Sequence, residues 1–201
     1  MNSTMVDENL LLSWGATFKM ISKEQPLFRE GSSGLFYHQI VSGRVKWMNI
    51  DDDGKEFIQA VIQSGESIGE LPLFDDGPYV SSAVALTDTT VLRLRKDDFL
   101  RMLHEHPEIH FAFTRMITHR LRLKFILMKE LSYPDPVRKV LTVLKNYRNV
   151  SEYEADGRKR IQLTRQQIAN MTGIRVETVI RTIRSLSEEG ILHIDGGKVY
   201  F

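Results

Sequence analysis

Apolar positions recur along this chain with two different periods, and the change from one to the other divides it. Between Gly31 and Gly77 short apolar runs are separated by turn residues, with Gly43, Gly54 and Gly65 at steps of 11 and Gly77 after 12. Such even punctuation predicts a β-barrel or sandwich. Segments 35–45, 45–50 and 56–62 are rich in β-formers and read as strands, the last with Phe57, Val61 and their neighbours available for a core. Asp51-Asp52-Asp53-Gly54 reads as a turn, and 82–94 as a further pair of short strands.

After residue 95 the period becomes helical. Asp97-Asp98 is expected to cap a short helix through Leu103, and Pro107 to start another that meets no Gly or Pro before Leu131. That stretch of about 25 residues would span roughly 37 Å. Phe113, Ile117, Leu121, Met128 and Leu131 fall on one stripe, with Ile109, Met116, Leu123 and Leu127 beside it. The band is too wide for packing on one small barrel, so one side is expected to meet a second subunit. Tyr133-Pro134-Asp135-Pro136 then breaks the helix and marks a hinge.

Residues 163–186 carry the strongest signal. Thr164 followed by Gln167 makes a capping-box start, Ile168 and Ala169 face inward, and Gly173 supplies the sharp turn into a second helix. On that second helix Val179, Ile183 and Leu186 form a narrow apolar stripe, while Val176, Glu177, Ile180, Arg181 and Arg184 cluster opposite. The outer face mixes a carboxylate, two guanidinium groups and two branched apolar side chains. It suits the major groove, which presents guanine acceptors, a cytosine amino donor and thymine methyls. Read alone, Glu177 and Arg181 are also a helix-stabilising pair four residues apart, contributing about 0.2 to 0.5 kcal/mol. Gly190 ends the helix, and the segment around Asp195-Gly196-Gly197 reads as a β-hairpin, a wing that carries Lys198 toward a phosphate.

Charge agrees with this division. Residues 137–201 hold 12 Lys and Arg against 7 Asp and Glu, whereas residues 1–136 hold 15 against 19, for an overall +1. The basic end suits nucleic acid through counterion release. The absence of cysteine excludes disulfides, thiolate catalysis and cysteine-ligated iron–sulfur clusters. No apolar run approaches the roughly 20 residues of a membrane span, and no secretory signal pattern opens the chain, so the expected location is the cytoplasm. His104, His106 and His110 straddle Pro107 without a diagnostic ligand spacing and read as surface residues; Ile62 stands where a calcium loop opened by Asp51 would need a glutamate. No paired carboxylates or nucleophile–base set appears at usable spacing, so no enzyme activity is expected.

The remaining motif is Ser67 to Phe74, SIGELPLF, in which Gly69 allows a sharp turn and Glu70-Leu71 opens a segment whose free amides suit an anion. Together with the glycine register, the long helix and TRQQIANMTGIRVETVIRTIRSL, it resembles the CRP/FNR transcription regulators from about residue 23 to the end. The resemblance implies an α+β protein in three parts. These are an N-terminal double-stranded β-helix (β-roll) sensor domain over 1–106, a long dimerisation helix over 107–133, and a winged helix-turn-helix over 134–201. It implies a homodimer joined along 107–131 that binds double-stranded DNA at a pseudo-palindrome with a TGA-type core, with RNA polymerase as a further partner. The expected DNA-binding residues are Thr164, Arg165, Gln166, Arg175, Val176, Glu177, Thr178, Ile180, Arg181 and Lys198, with Arg181 taking guanine and Glu177 a cytosine amino group. Val176 resembles the FNR-like branch, and Ile180 departs from the Ser that FNR has there.

The effector pocket implied by the resemblance would draw on Gly69, Glu70, Leu71, Ser81, Ser82 and Lys124. Cyclic-AMP-binding members grip the phosphate with an Arg followed by Ser or Thr and Ala, but here the run is Ser81-Ser82-Ala83 and no Arg occurs between Phe74 and Leu92. Losing such a charge-assisted contact costs about 1.5 to 3 kcal/mol. Lys124-Phe125 also replaces the Thr-Ser pair that meets adenine. Cyclic AMP is therefore not the expected effector and no cofactor is expected; the alternative is a cyclic-nucleotide-responsive regulator with a non-standard phosphate site in which Lys124 stands in for the Arg.

Overall fold

The computed structural model describes residues 4–150 and 158–201, with side chains throughout except at 148–150. It divides into two compact units, 1–118 and 119–201, and the boundary falls inside the longest helix.

The first unit opens with α1 (Glu8–Ser13), capped by the Asp7 side chain, followed by strands β1 (Thr17–Ile21), β2 (Pro26–Phe28), β3 (Phe36–Ser42), β4 (Arg44–Ile50), β5 (Glu56–Gln63) and β6 (Ser67–Ile68). A short α2 (Leu71–Asp75) leads to β7 (Ser82–Ala85), β8 (Thr89–Arg95), α3 (Lys96–Glu105) and α4 (Pro107–Ser132). The strands form two antiparallel four-stranded sheets, ordered β1-β8-β3-β6 and β2-β7-β4-β5. Between them lies a core of Ile21, Leu27, Phe28, Ile40, Val45, Ile62, Ile68, Tyr79 and Val91, drawn from both sheets. The opposite face of the first sheet packs Tyr37, Leu92 and Leu94 against Leu11 of α1, Phe99 and Met102 of α3, and Phe113 of α4. Gln39, fully buried, satisfies its amide by bonding Val6 N–H and Val6 C=O at 3.0 and 2.9 Å and the Tyr37 hydroxyl at 2.7 Å.

Two local expectations are corrected, and a third element is made specific. Phe57 is 39% exposed, because a bulge skips Gln59 where Trp47 pairs with Ala60 and Met48 with Ile58; the altered alternation buries Ile58, Val61 and Ile62 instead. Asp97 and Asp98 do not cap α3: Arg95 holds the cap position, and the two acids lie in the first turn, where they favour the positive end of the helix dipole. On α4, Phe113 is fully buried in its own unit, and Ile109, Met116 and Ile117 pack on the same core. Apolar side chains left to solvent are Phe111, Leu121, Phe125, Ile126 and Met128.

In the second unit, α4 ends at Ser132 and α5 (Pro136–Val150) follows after Tyr133-Pro134-Asp135. Arg138 of α5 bonds the Glu130 carboxylate of α4 through two nitrogens and lies 3.7 Å from the centre of the Tyr133 ring. Leu123 and Leu127 line a groove facing Leu141 and Thr142 of α5. Beyond α5 come β9 (Arg160–Ile161), α6 (Arg165–Thr172), α7 (Val176–Glu188), β10 (His193–Asp195) and β11 (Lys198–Tyr200). Val140, Val143 and Leu144 of α5, Ile168 and Ala169 of α6, and Val179, Ile183 and Leu186 of α7 are buried.

Candidate nucleic-acid interface and effector region

The α6–α7 pair is built as its residues dictate. Thr164 Oγ1 accepts the Gln167 N–H at 3.1 Å while Gln167 Oε1 accepts the Thr164 N–H at 2.9 Å, so two orphan donors of α6 are met. Gly173 closes α6 at φ 69°, a conformation that costs glycine nothing. The end of α7 is fastened by Ile191 N–H to Leu186 C=O at 2.9 Å and Gly190 N–H to Ser187 C=O at 3.1 Å, a Schellman arrangement. The wing follows, with β10 and β11 joined by Gly196 and Gly197, both at positive φ as a two-residue hairpin turn requires.

With the inward stripe of α7 buried, its other face is left open. Arg175, Glu177, Arg181 and Arg184 are exposed, and Val176, Thr178 and Ile180 are half-buried between them. Among the described residues neither the Glu177 nor the Arg181 side chain forms a hydrogen bond or ion pair, so the helix-stabilising pair that their spacing permits is not made. On α6, Thr164 and Gln166 are exposed, with Gln166 donating to Asn170 at 2.8 Å; Arg165 is half-buried, which lowers its affinity for a proton. Lys198 is exposed at the start of β11. Sequence reasoning missed β9, which adds a third strand to the wing by pairing Ile161 with Val199. It also missed Arg158, whose guanidinium lies 4.7 Å from the centre of the Tyr200 ring. Two-residue strands leave no periodic signal, although the basic run Arg158-Lys159-Arg160 was visible.

In the first unit, Gly69 turns at φ 80°, and a Cβ there would stand 2.7 Å from the Phe28 ring and 2.9 Å from that of Tyr79. Those rings stack 3.8 Å apart. Glu70 follows, buried, accepting the Ser67 hydroxyl at 2.7 Å. The Tyr79 hydroxyl is pushed up to about 12 by burial and by the charge of Glu70. Leu71 starts α2 and is 40% exposed. Ser81 is buried and Ser82 half-buried, the latter accepting the Glu30 N–H at 2.9 Å. Lys124 belongs to the second unit, half-buried on α4, where burial and Arg120 lower its pKa. The turn that a cyclic phosphate would need is thus packed by two aromatic rings of the chain, and no guanidinium lies in the 75–91 segment. These residues do not fit the cyclic phosphate group.

Sequence reasoning also passed over His38. It is buried on β3, facing the core between the sheets beside Ile40, with Nδ1 lacking any hydrogen-bond partner among the described residues. Nothing in the apolar pattern distinguished it from the surrounding strand residues.

Residues 18–106 match the cyclic nucleotide-binding domain family, and residues 139–200 match the Crp-like helix-turn-helix domain family. The chain is 28% identical over 182 residues to a cyclic AMP receptor protein of Thermus thermophilus, covering 90% of this chain and 82% of that protein. It is 27% identical over 175 residues to a CRP-like cAMP-activated global transcriptional regulator of Mycobacterium tuberculosis, covering 86% of this chain and 78% of the relative. Its fold is similar to that of FixK2 from Bradyrhizobium japonicum, with a TM-score of 0.79 at 22% identity over 92% of each chain. With a β-roll, a long helix and a capped helix-turn-helix in the order shared by these relatives, the chain belongs to the CRP/FNR family of DNA-binding transcription regulators.

Proposed function

We propose that this regulator acts as a cytoplasmic homodimer on a pseudo-palindromic DNA site with a TGA-type core, presenting one α7 to each half-site. The observation that carries the reading is the exposed Glu177 and Arg181 pair, four residues apart and bonded to nothing among the described residues. Such a pair matches the edges of one G·C step: Arg181 donates to guanine O6 and N7, and Glu177 accepts from a cytosine amino group. Val176 and Ile180 beside them offer apolar contact to thymine methyls. Thr164, Arg165, Gln166, Arg175, Thr178 and Lys198 are assigned to positioning, chiefly through phosphates.

Two-fold pairing is supported by α4. Phe111, Leu121, Phe125 and Met128 are 65%, 53%, 62% and 68% exposed, and with Thr114 and Thr118 they follow the three–four spacing of a helix-pairing seam. RNA polymerase is the further partner that a transcription regulator of this family would engage. Packing of Phe28 and Tyr79 against Gly69 supports an effector other than cyclic AMP. A second reading, response to a cyclic nucleotide through a non-standard phosphate site that uses Lys124, draws on the buried Glu70 and on the relatives named for cyclic AMP.

Selection of bound sequences from a random duplex pool, with and without cyclic AMP and cyclic GMP, tests both. A TGA-containing palindrome recovered equally under all conditions is the expected result. The absence of any sequence preference overturns the first reading, and recovery only with a cyclic nucleotide establishes the second.

A further inference from the structure

The inner face of the β1-β8-β3-β6 sheet carries an unbalanced group of nitrogen donors. His38 on β3 pairs directly with Arg93 on β8, and Arg93 with Thr17 on β1, so all three side chains share one face. Lys19 pairs with Val91, which itself pairs with Ile40 on the same face, and this places Lys19 one row along and diagonal to Arg93. Arg93 Nε donates to Thr17 Oγ1 at 3.4 Å, and its guanidinium lies 5.1 Å from the centre of the Phe36 ring. Lys19 and Arg93 are both half-exposed, and among the described residues neither forms an ion pair.

His38 lies at the buried end of this group. Its ring is 5.9 Å from that of Phe28 and 6.3 Å from that of Phe36. Nδ1 is buried and has no partner among the described residues, which forfeits a hydrogen bond that water would otherwise supply. The residue is neutral at physiological pH, since burial first, then the charges of Lys19 and Arg93, hold its pKa at about 3. A neutral imidazole with Nδ1 protonated is a donor, and an oxyanion held by the two cations would accept from it.

We propose that Lys19, Arg93 and His38 form an oxyanion-binding site on the first unit that takes phosphate or a phosphoryl group. The site borders the Gly69–Glu70 turn, since His38 pairs with Ile68 and its ring lies 5.9 Å from that of Phe28, but it draws on Lys19 and Arg93 of β1 and β8 rather than on the turn residues. It uses none of the residues assigned to DNA. Two half-exposed cations give the anion an entry and the orphaned nitrogen donates to it, so one ligand group supplies both the missing acceptor and the missing negative charge.

The full chain is titrated with inorganic phosphate, acetate and 5′-AMP at low ionic strength, with calorimetry and the imidazole proton resonances of His38 as readouts. Expected is saturable binding of one phosphate per chain that shifts the His38 resonances, weakened about tenfold or more by Arg93→Ala and by Lys19→Ala, each the loss of one charge-assisted contact. Tighter binding of 5′-AMP than of phosphate identifies the phosphoryl group of a larger ligand as the source, and equal binding identifies free phosphate. His38→Phe removes the donor while keeping a planar ring; should that variant fail to fold, the Arg93 and Lys19 variants carry the test. Heat and resonances unchanged by millimolar phosphate overturn the proposal. Loss of binding in Glu70→Gln with Arg93→Ala unaffected does the same, because it moves the anion to the Gly69 turn.

Discussion

Phe28 and Tyr79 stack with ring centres 3.8 Å apart and planes 8° from parallel, and the Gly69 backbone packs against both rings. The pair packs the turn that leads into Glu70. Gly69 tolerates that closeness for two reasons, a φ of 80° and the absence of a Cβ.

Gly69→Ala is therefore expected to destabilise the first unit by about 2 kcal/mol or more, since it combines left-handed strain with a clash that the stacked rings must yield to. Urea denaturation followed by circular dichroism measures it. An unchanged midpoint would show that the rings are free to move aside.

The buried imidazole makes stability depend on pH. His38 titrates near 6.5 in the unfolded chain and at about 3 when folded, so below 6.5 the unfolded state binds the extra proton. Stability then rises with pH across this window and is lost as pH falls from about 6.5 toward 3. Thermal melts between those limits should show a shallower acid decline in His38→Phe than in the parent; parallel declines would contradict the assignment.

Arg181→Ala should cost about 1 to 3 kcal/mol on a TGA-containing site and relax preference at the guanine. Lys198→Ala should instead weaken all sequences alike and reduce the slope of log affinity against log salt by about 1. Fluorescence anisotropy on matched and mismatched duplexes at several salt concentrations separates the two. Base preference retained in Arg181→Ala would reject its reading role.

Replacing Phe125 by Glu introduces a charge into the exposed seam of α4 without touching the core of either unit, since the side chain is 62% exposed. Light scattering after size-exclusion chromatography is expected to report a shift from dimer to monomer, with a parallel loss of affinity for the palindrome. A variant that stays dimeric would place the pairing surface elsewhere.

The outcome for individual residues shows why some of this was legible in the chain. Thr164, Gln167 and Gly173 act on backbone groups within four residues of themselves, so their spacing alone identifies the capped helix and its sharp end. Gly196-Gly197 specifies its hairpin for the same reason. Phe57 was misplaced, and the side of α4 to which Phe113 belongs was not legible, because their burial depends on partners distant in sequence: a bulge against Trp47 and Met48 for one, and the aromatic cluster of Tyr37 and Phe99 for the other. His38, Arg93 and Lys19 are as much as 74 positions apart and become neighbours only through sheet register.

The sequence by itself determined the change from strands to helices after residue 95, the outward face of the reading helix and the missing Arg before β8, because each is encoded in periodicity, capping chemistry or residue identity at short range. Only the tertiary structure decided which apolar side chains of α4 remain uncovered, that Phe28 and Tyr79 pack the turn at Gly69, and that an unpartnered imidazole lies beside two cations. Those outcomes rest on long-range strand pairing and burial, where side chains far apart in the chain compete for the same space and the same solvent.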